Sequence, residues 1–277
     1  MLCLIWGLSI PLMKLGVRLF DPLQLAALRY AAAAPFFAIL LVGRALPSGR
    51  DLLRMAGLGL IGIDCGQVTQ VLGVQRASAA VATVMFATIP IFVVILAAWR
   101  LRQRLRMPHA IGLALALCGI ALIATSGGPV SRATTLVTPV GATLIMVSAI
   151  TIALYYVLSA ELSRRYAVTT VAAWSSLFGV VPLLPAVATG FPAALLSPGL
   201  LGLGIVLYLG LLVTVAGMWI WLNLLRALPA RIAAGSQYLQ PLLGVAASAW
   251  LFGDPIGPSF GAGTVLVFIG IALTSAR

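Results

Sequence analysis

The sequence predicts an all-α integral membrane protein with ten transmembrane helices, arranged as two inverted five-helix repeats. The prediction rests on the composition, on ten apolar runs and on an internal repeat. Of the 277 residues, 62% are hydrophobic and 8% are charged, and the mean hydropathy is +1.15. Typical soluble domains are about 45–50% apolar and about 25% charged. A soluble chain of this size could not bury so much apolar surface, so we expect a bilayer to surround it.

The apolar runs are each long enough to cross a bilayer, which takes about 20 helical residues. They are continuous and lack the period-two alternation of a membrane β-barrel. The connections between them are too short to hold a soluble domain. Predicted helices 1 to 10 cover residues 1–19, 22–43, 52–74, 77–99, 107–126, 137–160, 167–189, 199–225, 230–252 and 256–276.

The two halves of the chain match each other after a shift of 151 residues. The aligned pairs are Pro90 with Pro241, Trp99 with Trp250, Gly59 with Gly210, Gly66 with Gly217, Gly112 with Gly263 and Gly119 with Gly270. Each half holds five helices, and an odd number places the second half upside down, as in many secondary transporters. We therefore predict a first repeat over residues 1–126, a connecting loop over 127–136 and a second, inverted repeat over 137–277.

The basic residues predict how the chain lies in the membrane. With the N-terminus in the cytoplasm, most of the 17 basic residues fall on the cytoplasmic side, and only Lys14, Arg18, Arg76 and Arg132 fall on the other side. Cytoplasmic loops carry such an excess of Lys and Arg. We expect a multi-pass protein of the cell inner membrane with both termini in the cytoplasm. The net charge of +12 then reflects contact with membrane lipid and no nucleic-acid partner.

Enzyme motifs are absent from the sequence. It has one histidine, five acidic residues and three cysteines, with no His-Glu-x-x-His, no Cys-x-x-Cys and no Walker glycine loop. We therefore expect no catalytic residue, no metal, no cofactor and no enzymatic activity.

Asp64 is the most informative single residue, because it lies halfway along predicted helix 3. A carboxylate at that depth is costly unless it is paired, hydrated or protonated. One interpretation makes Asp64 a contact for a substrate amine or a site of proton coupling. The other makes it an interhelical ion pair with Arg29 or Lys14. Gln67 and Gln70 extend a polar stripe from Asp64, which lines a cavity or bonds neighbouring helices.

Other residues are candidates for the wall of a central cavity. Helix 9 offers polar groups before its proline, and Pro90 and Pro241 are predicted to bend helices 4 and 9, as fixed kinks or as moving gates. Aromatic and methionine side chains would shape an apolar wall. These further cavity candidates are Trp6, Met13, Met85, Tyr155, Tyr156, Trp219, Gln237, Tyr238 and Gln240.

The remaining charged residues have ordinary structural interpretations. Lys14 and Arg29 are expected to extend to the outer surface, or else to contact a substrate carboxylate at the outer mouth. Glu161 is expected to pair with Arg164 and Arg165 at the inner surface. The steps Gly62-x-x-x-Gly66 and Gly257-x-x-x-Gly261 permit close helix contact, within one bundle or in a homodimer.

The layout resembles the ten-helix drug/metabolite transporter superfamily, EamA type. The residues that carry the resemblance are Trp6-Gly7 in helix 1, LAALRYAAAA in helix 2, RASAAVATVMFATIPIFVVILAAW repeated as ALPARIAAGSQYLQPLLGVAASAW in helices 4 and 9, and GLALALCGIALI and GAGTVLVFIGIAL in helices 5 and 10. The resemblance covers nearly the whole chain.

The resemblance implies export of small amphipathic metabolites from the cytoplasm by alternating access through a central cavity. Within the family the chain looks most like bacterial exporters of amino acids, including aromatic ones. The alternatives are another substrate class, such as a drug, a sugar or a nucleotide-type metabolite, or a membrane scaffold without transport. The scarcity of core cations fits poorly with phosphorylated substrates.

Overall fold

The fold is built from helices alone. The computed structural model describes residues 1–100, 107–125, 137–188, 198–220, 239–254 and 256–275, and every regular element among them is helical. The one backbone pairing of β type there is an isolated bridge between Ala77 and Val137. The all-α prediction is therefore confirmed for the described part of the chain.

Six helices are long and apolar enough to cross a membrane. They are α1 (Leu2–Leu19), α2 (Pro22–Leu41), α3 (Gly49–Gln75), α6 (Pro139–Leu162), α7 (Val168–Ala186) and α8 (Gly199–Ile220). The other helical segments are α4 (Ala79–Phe86 and Ile89–Arg100), α5 (Met107–Thr125), α9 (Leu239–Phe252) and α10 (Pro258–Ser275). The chain is a multi-pass membrane protein, and the crossing of all ten predicted helices stays a prediction.

Side-chain caps fix where several helices begin. At each of these starts the side-chain oxygen of the preceding residue accepts a hydrogen bond from backbone N–H groups of the first turn, and these residues are Asp21, Ser48, Ser78 and Thr138. Ser, Thr and Asp are the residues preferred at such positions. Pro22 and Pro139 follow two of the caps, where a proline lacks only an N–H that would have no helical partner.

Two membrane-length helices contain a π-helical segment. In α3 it covers Gly59–Cys65, and in α8 it covers Tyr208–Ala216. The shift of 151 residues places the first segment on residues 210–216, inside the second. Such segments are rare and are frequent at functional sites. The same backbone irregularity therefore occurs at matching places in the two halves.

Helix α4 is interrupted in its middle. Its first segment ends at Phe86, Ala87 and Thr88 form a turn, and the second segment begins at Ile89. Pro90 follows directly, and it has no N–H to bond the carbonyl group four residues earlier. The matching Pro241 is the third residue of the described part of α9. Residues 221–238, which precede it, lie outside the described part of the chain. The predicted bend of this helix at Pro241 therefore stays a prediction.

Glycines allow the helices to approach each other closely. A Cβ atom at Gly119 of α5 would meet the backbone of Gly263 of α10, and one at Gly270 of α10 would meet Gly112 of α5. The two contacts are reciprocal, because Gly112 matches Gly263 and Gly119 matches Gly270 in the repeat. This is the pattern that a two-fold relation between the halves predicts.

The two predicted glycine steps differ in what they contact. Gly62 of α3 faces the ring of Tyr155, and Gly66 faces Thr151 and Ile152 of α6. This step therefore brings α3 and α6 together. A Cβ atom at Gly257 or Gly261 would meet no described residue within 4 Å, and the homodimer stays a prediction.

Candidate functional site

The polar stripe of α3 contains groups with very different partners. The carboxylate of Asp64 is half-buried in the π segment, and no described residue forms a hydrogen bond or an ion pair with it. Gln67 is buried, and its Oε1 accepts a hydrogen bond of 3.0 Å from Nη1 of Arg29. Gln70 is 8% exposed, and no described residue bonds its amide.

Arg29 lies inside the bundle, contrary to the expectation that it extends to the outer surface. It is 7% exposed and lies seven residues after Pro22, about 10 Å along α2. Its Nε donates to Oγ1 of Thr214 at 2.9 Å, in addition to the bond from Nη1 to Gln67. One guanidinium group therefore joins α2, α3 and α8 through neutral acceptors.

The π segment of α8 explains how Thr214 is oriented. Its hydroxyl donates to the carbonyl oxygen of Leu209, five residues earlier, at 2.8 Å. The donated proton leaves a lone pair free to accept from Arg29. Gly210, in the same segment, brings α8 against the carbonyl group of Arg29, because a Cβ there would lie 2.7 Å from that oxygen. The π segment of α8 thus orients the Thr214 hydroxyl and also allows α8 to approach α2 closely.

An aromatic ring lies beside the guanidinium. The Tyr30 ring centroid lies 5.4 Å from Cζ of Arg29, and Tyr156, which is 48% exposed, lies within electrostatic range of the same group. The rings of Tyr155 and Tyr156 are 5.9 Å apart. We call Arg29, Tyr30, Gln67, Tyr156 and Thr214 the Arg29 cluster.

The cluster is only partly anticipated by the sequence prediction. The sequence predicts Gln67 and Tyr156 as cavity residues. For Arg29 it predicts the outer surface, a substrate carboxylate at the outer mouth or an ion pair with Asp64, and it does not single out Tyr30 or Thr214. The depth of Arg29 was the usable signal, since a guanidinium that far along a helix has a long way to reach the interface. Nothing in the sequence pattern marks Thr214, because its role depends on the π-helical register.

Lys14 has a structural role. Its Nζ donates to the carbonyl oxygens of Val74 at 2.9 Å and Gln75 at 2.8 Å, at the C-terminal end of α3. A cation there satisfies carbonyl groups without helical partners and complements the helix dipole. The suggested ion pair of Asp64 with Arg29 or Lys14 is therefore wrong for this structure, since both cations bond other groups.

Three predicted cavity residues are parts of the packed interior near α1. Met13 and Met85 are each 1% exposed and belong to the main hydrophobic core. Trp6 is half-buried, and its Nε1 donates to the carbonyl oxygen of Val213 at 3.0 Å. This bond reaches a carbonyl of the π segment of α8 and ties α1 to it.

Trp219 lies apart from the polar stripe. It lines an apolar cavity of about 320 Å³ between α2, α7 and α8, together with Phe36, Leu40 and Val215. Thr169 also lines this cavity, and its buried hydroxyl has no hydrogen-bond partner among the described residues. Of the remaining candidates, Gln240 is half-buried, whereas Gln237 and Tyr238 lie outside the described residues.

Charged groups at one end of the bundle form compact pairs. We call the end that holds Asp51, Arg54, Arg100, Glu161 and Arg165 the arginine-rich end. Glu161 accepts from Nε and Nη2 of Arg100 at 2.7 and 3.1 Å. Its partner is thus Arg100 of α4, and the predicted pairing with Arg164 and Arg165 is wrong.

The carboxylate of Asp51 has several partners at the same end. It accepts from the hydroxyl groups of Ser48 and Tyr166 and from Nη1 of Arg54, at 2.9 to 3.1 Å. Arg165 lies 3.8 Å away. These bonds hold the start of α3 against the loop between α6 and α7.

The described residues contain no group of three or more His, Cys, Asp or Glu side chains that could hold a metal ion. A bundle of apolar membrane-length helices with a few polar groups buried in the middle defines a multi-pass membrane protein and is typical of transporters.

The comparisons with known proteins identify the family. The model of the EamA-like transporter family matches residues 1–125 and 139–276. The chain therefore belongs to the EamA-like transporter family, as the sequence motifs predicted.

Two relatives and one solved structure are informative. A probable terminal-alkyne amino-acid exporter of Streptantibioticus cattleyicolor is 30% identical over 98% of this chain and 90% of that protein. A probable amino-acid metabolite efflux pump of Salmonella typhimurium is 27% identical over 96% and 90%. A crystal structure with 18% sequence identity superposes with a TM-score of 0.61 over 98% of this chain and 95% of that chain, which supports the fold alone.

Proposed function

We propose that this protein exports amino acids, including aromatic ones, from the cytoplasm by alternating access through a cavity between two inverted repeats. The observation that carries the proposal is the Asp64 carboxylate, which lies in a π segment of a membrane-length helix without a partner among the described residues. Charges inside membrane spans are costly, and those that persist mark substrate or proton pathways. A carboxylate that pairs with nothing is available to a substrate amine or to a proton.

The surroundings of Asp64 suit an amphipathic solute. Gln67 and Gln70 add amide groups to the same helix, and the rings of Tyr155 and Tyr156 lie on the neighbouring α6. Sites for small molecules combine apolar walls with a few orienting polar groups. The names of the relatives from S. cattleyicolor and S. typhimurium refer to amino-acid export and efflux, which supports this class of substrate.

Alternating access is supported by features that occur in both halves. The reciprocal glycine contacts of α5 and α10 fit two repeats related by a two-fold axis. The π segments of α3 and α8 fall at matching positions, and the break in α4 before Pro90 provides a place where a helix can bend. Rocking of one repeat against the other would expose the cavity to each side in turn.

The bias of basic residues supports an inner-membrane location with both termini in the cytoplasm. In that orientation the arginine-rich end faces the cytoplasm. Substrate would enter there and leave at the end that holds Lys14 and Gln75.

Transport by purified protein in liposomes tests the proposal. We expect saturable movement of L-phenylalanine and other amino acids, and faster movement under a proton gradient. Asp64→Asn should reduce transport about tenfold or more, because it removes a charged contact. Glu161→Gln is the matched control, since it neutralises a carboxylate at the arginine-rich end, and it should leave transport unchanged.

The outcomes separate the two roles of Asp64. Loss of the gradient effect with intact exchange of labelled amino acid would assign proton coupling, and loss of both would assign contact with the substrate amine. Full transport by Asp64→Asn with unchanged pH dependence would contradict a functional role. Failure of wild-type protein to move any amino acid would contradict the substrate class.

A further inference from the structure

We infer that Arg29 is the binding group for the carboxylate of the transported solute. The inference rests on the proposed function and extends it, because it names the group that recognises one end of the substrate. It starts from the hydrogen bonds of the guanidinium. A guanidinium has five N–H donors, and Arg29 uses one on Thr214 and one on Gln67. The other three donors have no acceptor among the described residues.

The free donors are buried but not completely sealed. Among the described residues, the hydroxyl groups of Thr169 and Thr264 are the buried side-chain polar atoms that are sealed from solvent and lack a partner. No nitrogen of Arg29 is among them, although the residue is 7% exposed. The unused edge of the guanidinium is therefore buried without being completely sealed.

The charge balance favours an anionic ligand. No acidic group contacts Arg29 among the described residues, and its two partners are a neutral amide and a neutral hydroxyl. When a buried charge has only neutral partners, much of its desolvation free energy is not compensated. A carboxylate would supply the missing charge, and planar two-pronged contact with a carboxylate is the geometry that arginine favours over lysine.

Asp64 lies on the same helix as the amide that accepts from Arg29. Gln67, which holds the guanidinium, lies three residues after Asp64 on α3. Residues at that spacing share a helix face. An amino acid placed along this face would meet a cation for its carboxylate near Gln67 and an anion for its amine near Asp64. Gln67 and Thr214 act as positioning residues, because they fix the plane of the guanidinium.

Competition between L-phenylalanine and its amide tests the inference, because the two differ in the carboxylate. The assay measures displacement of labelled phenylalanine from purified protein in nanodiscs. Wild-type protein should prefer the acid about tenfold or more. Arg29→Gln should reduce that preference to less than about twofold and leave the affinity for the amide unchanged. The preference of Arg29→Lys should fall between the two, because an ammonium keeps the positive charge but lacks the planar pair of N–H donors.

A second pair of variants covers the case in which Arg29→Gln does not fold. Thr214→Val removes one hydrogen bond to the guanidinium and should reduce the preference several-fold, whereas Thr214→Ser keeps the hydroxyl and should restore it. An unchanged preference in Arg29→Gln, or equal preferences in the two Thr214 variants, would overturn the inference while amino-acid transport stands. If wild-type protein neither binds nor moves amino acids, the proposed function fails instead.

Discussion

Charged side chains in the middle of the bundle and at its arginine-rich end are partnered in opposite ways. At the arginine-rich end, Asp51 accepts from two hydroxyl groups and Arg54, and Glu161 takes two bonds from Arg100. In the middle, Arg29 has only neutral partners, and Asp64 has none among the described residues. The charges at the end are used by the fold, whereas those in the middle have no charged partner among the described residues, and we propose that they bind the solute.

The largest effect should come from removing the charge of Asp64 altogether. Asp64→Val should reduce transport about tenfold or more and should not lower the melting temperature, because no described residue forms a stabilising pair with the carboxylate that the variant would break. Relief of the desolvation cost favours a higher melting temperature. Melting in detergent and transport in liposomes would be measured on the same preparation.

Val215 provides a control for the comparison, since it occupies the position in α8 that matches Asp64. Val215→Thr places a neutral hydroxyl in the apolar cavity and should leave transport close to wild type. A clear drop in melting temperature for Asp64→Val would assign Asp64 a structural role and remove the contrast between the two regions.

A second prediction concerns what stabilises the middle of the bundle in place of ion pairs. A Cβ at Gly210 would lie 2.7 Å from the carbonyl oxygen of Arg29 and 3.0 Å from Cβ of Ala32. Gly210→Ala should therefore separate α8 from α2 and lower the free energy of unfolding by about 1–3 kcal/mol, which is typical of overpacking. Thermal unfolding measures the change.

Gly204 is the matched control, because it lies earlier on α8 with open space around it. Gly204→Ala should keep or raise stability, since alanine is the better helix former. Equal melting temperatures for the two variants would mean that close approach of α2 and α8 does not matter for the fold.

The sequence predicted the helical class and the family because composition and the lengths of the apolar runs depend on many residues, so single local errors matter little. It also placed Gly62 and Gly66 at a close contact and Gln67 on a polar face. It gave Arg29 the wrong environment, because periodicity shows which residues share a face but not which neighbouring helix offers an acceptor. Thr214 accepts from Arg29 because a π segment orients its hydroxyl, and Glu161 pairs with Arg100 of α4. Both contacts join residues that are far apart in the chain, so local sequence patterns do not predict them.

The smallest effect is expected at the arginine-rich end, for the Arg100–Glu161 pair. The two hydrogen bonds that Arg100 donates to Glu161 raise the pKa of Arg100 above its ordinary value, so its guanidinium stays charged. Both side chains are partly open to water, and exposed pairs contribute little because solvent and salt screen them. Arg100→Gln should lower the melting temperature slightly, and the difference from wild type should shrink as salt is added. Transport per folded molecule should stay unchanged. A transport defect that persists in folded Arg100→Gln protein would show that charges at this end also serve function, and the division between end and middle would then fail.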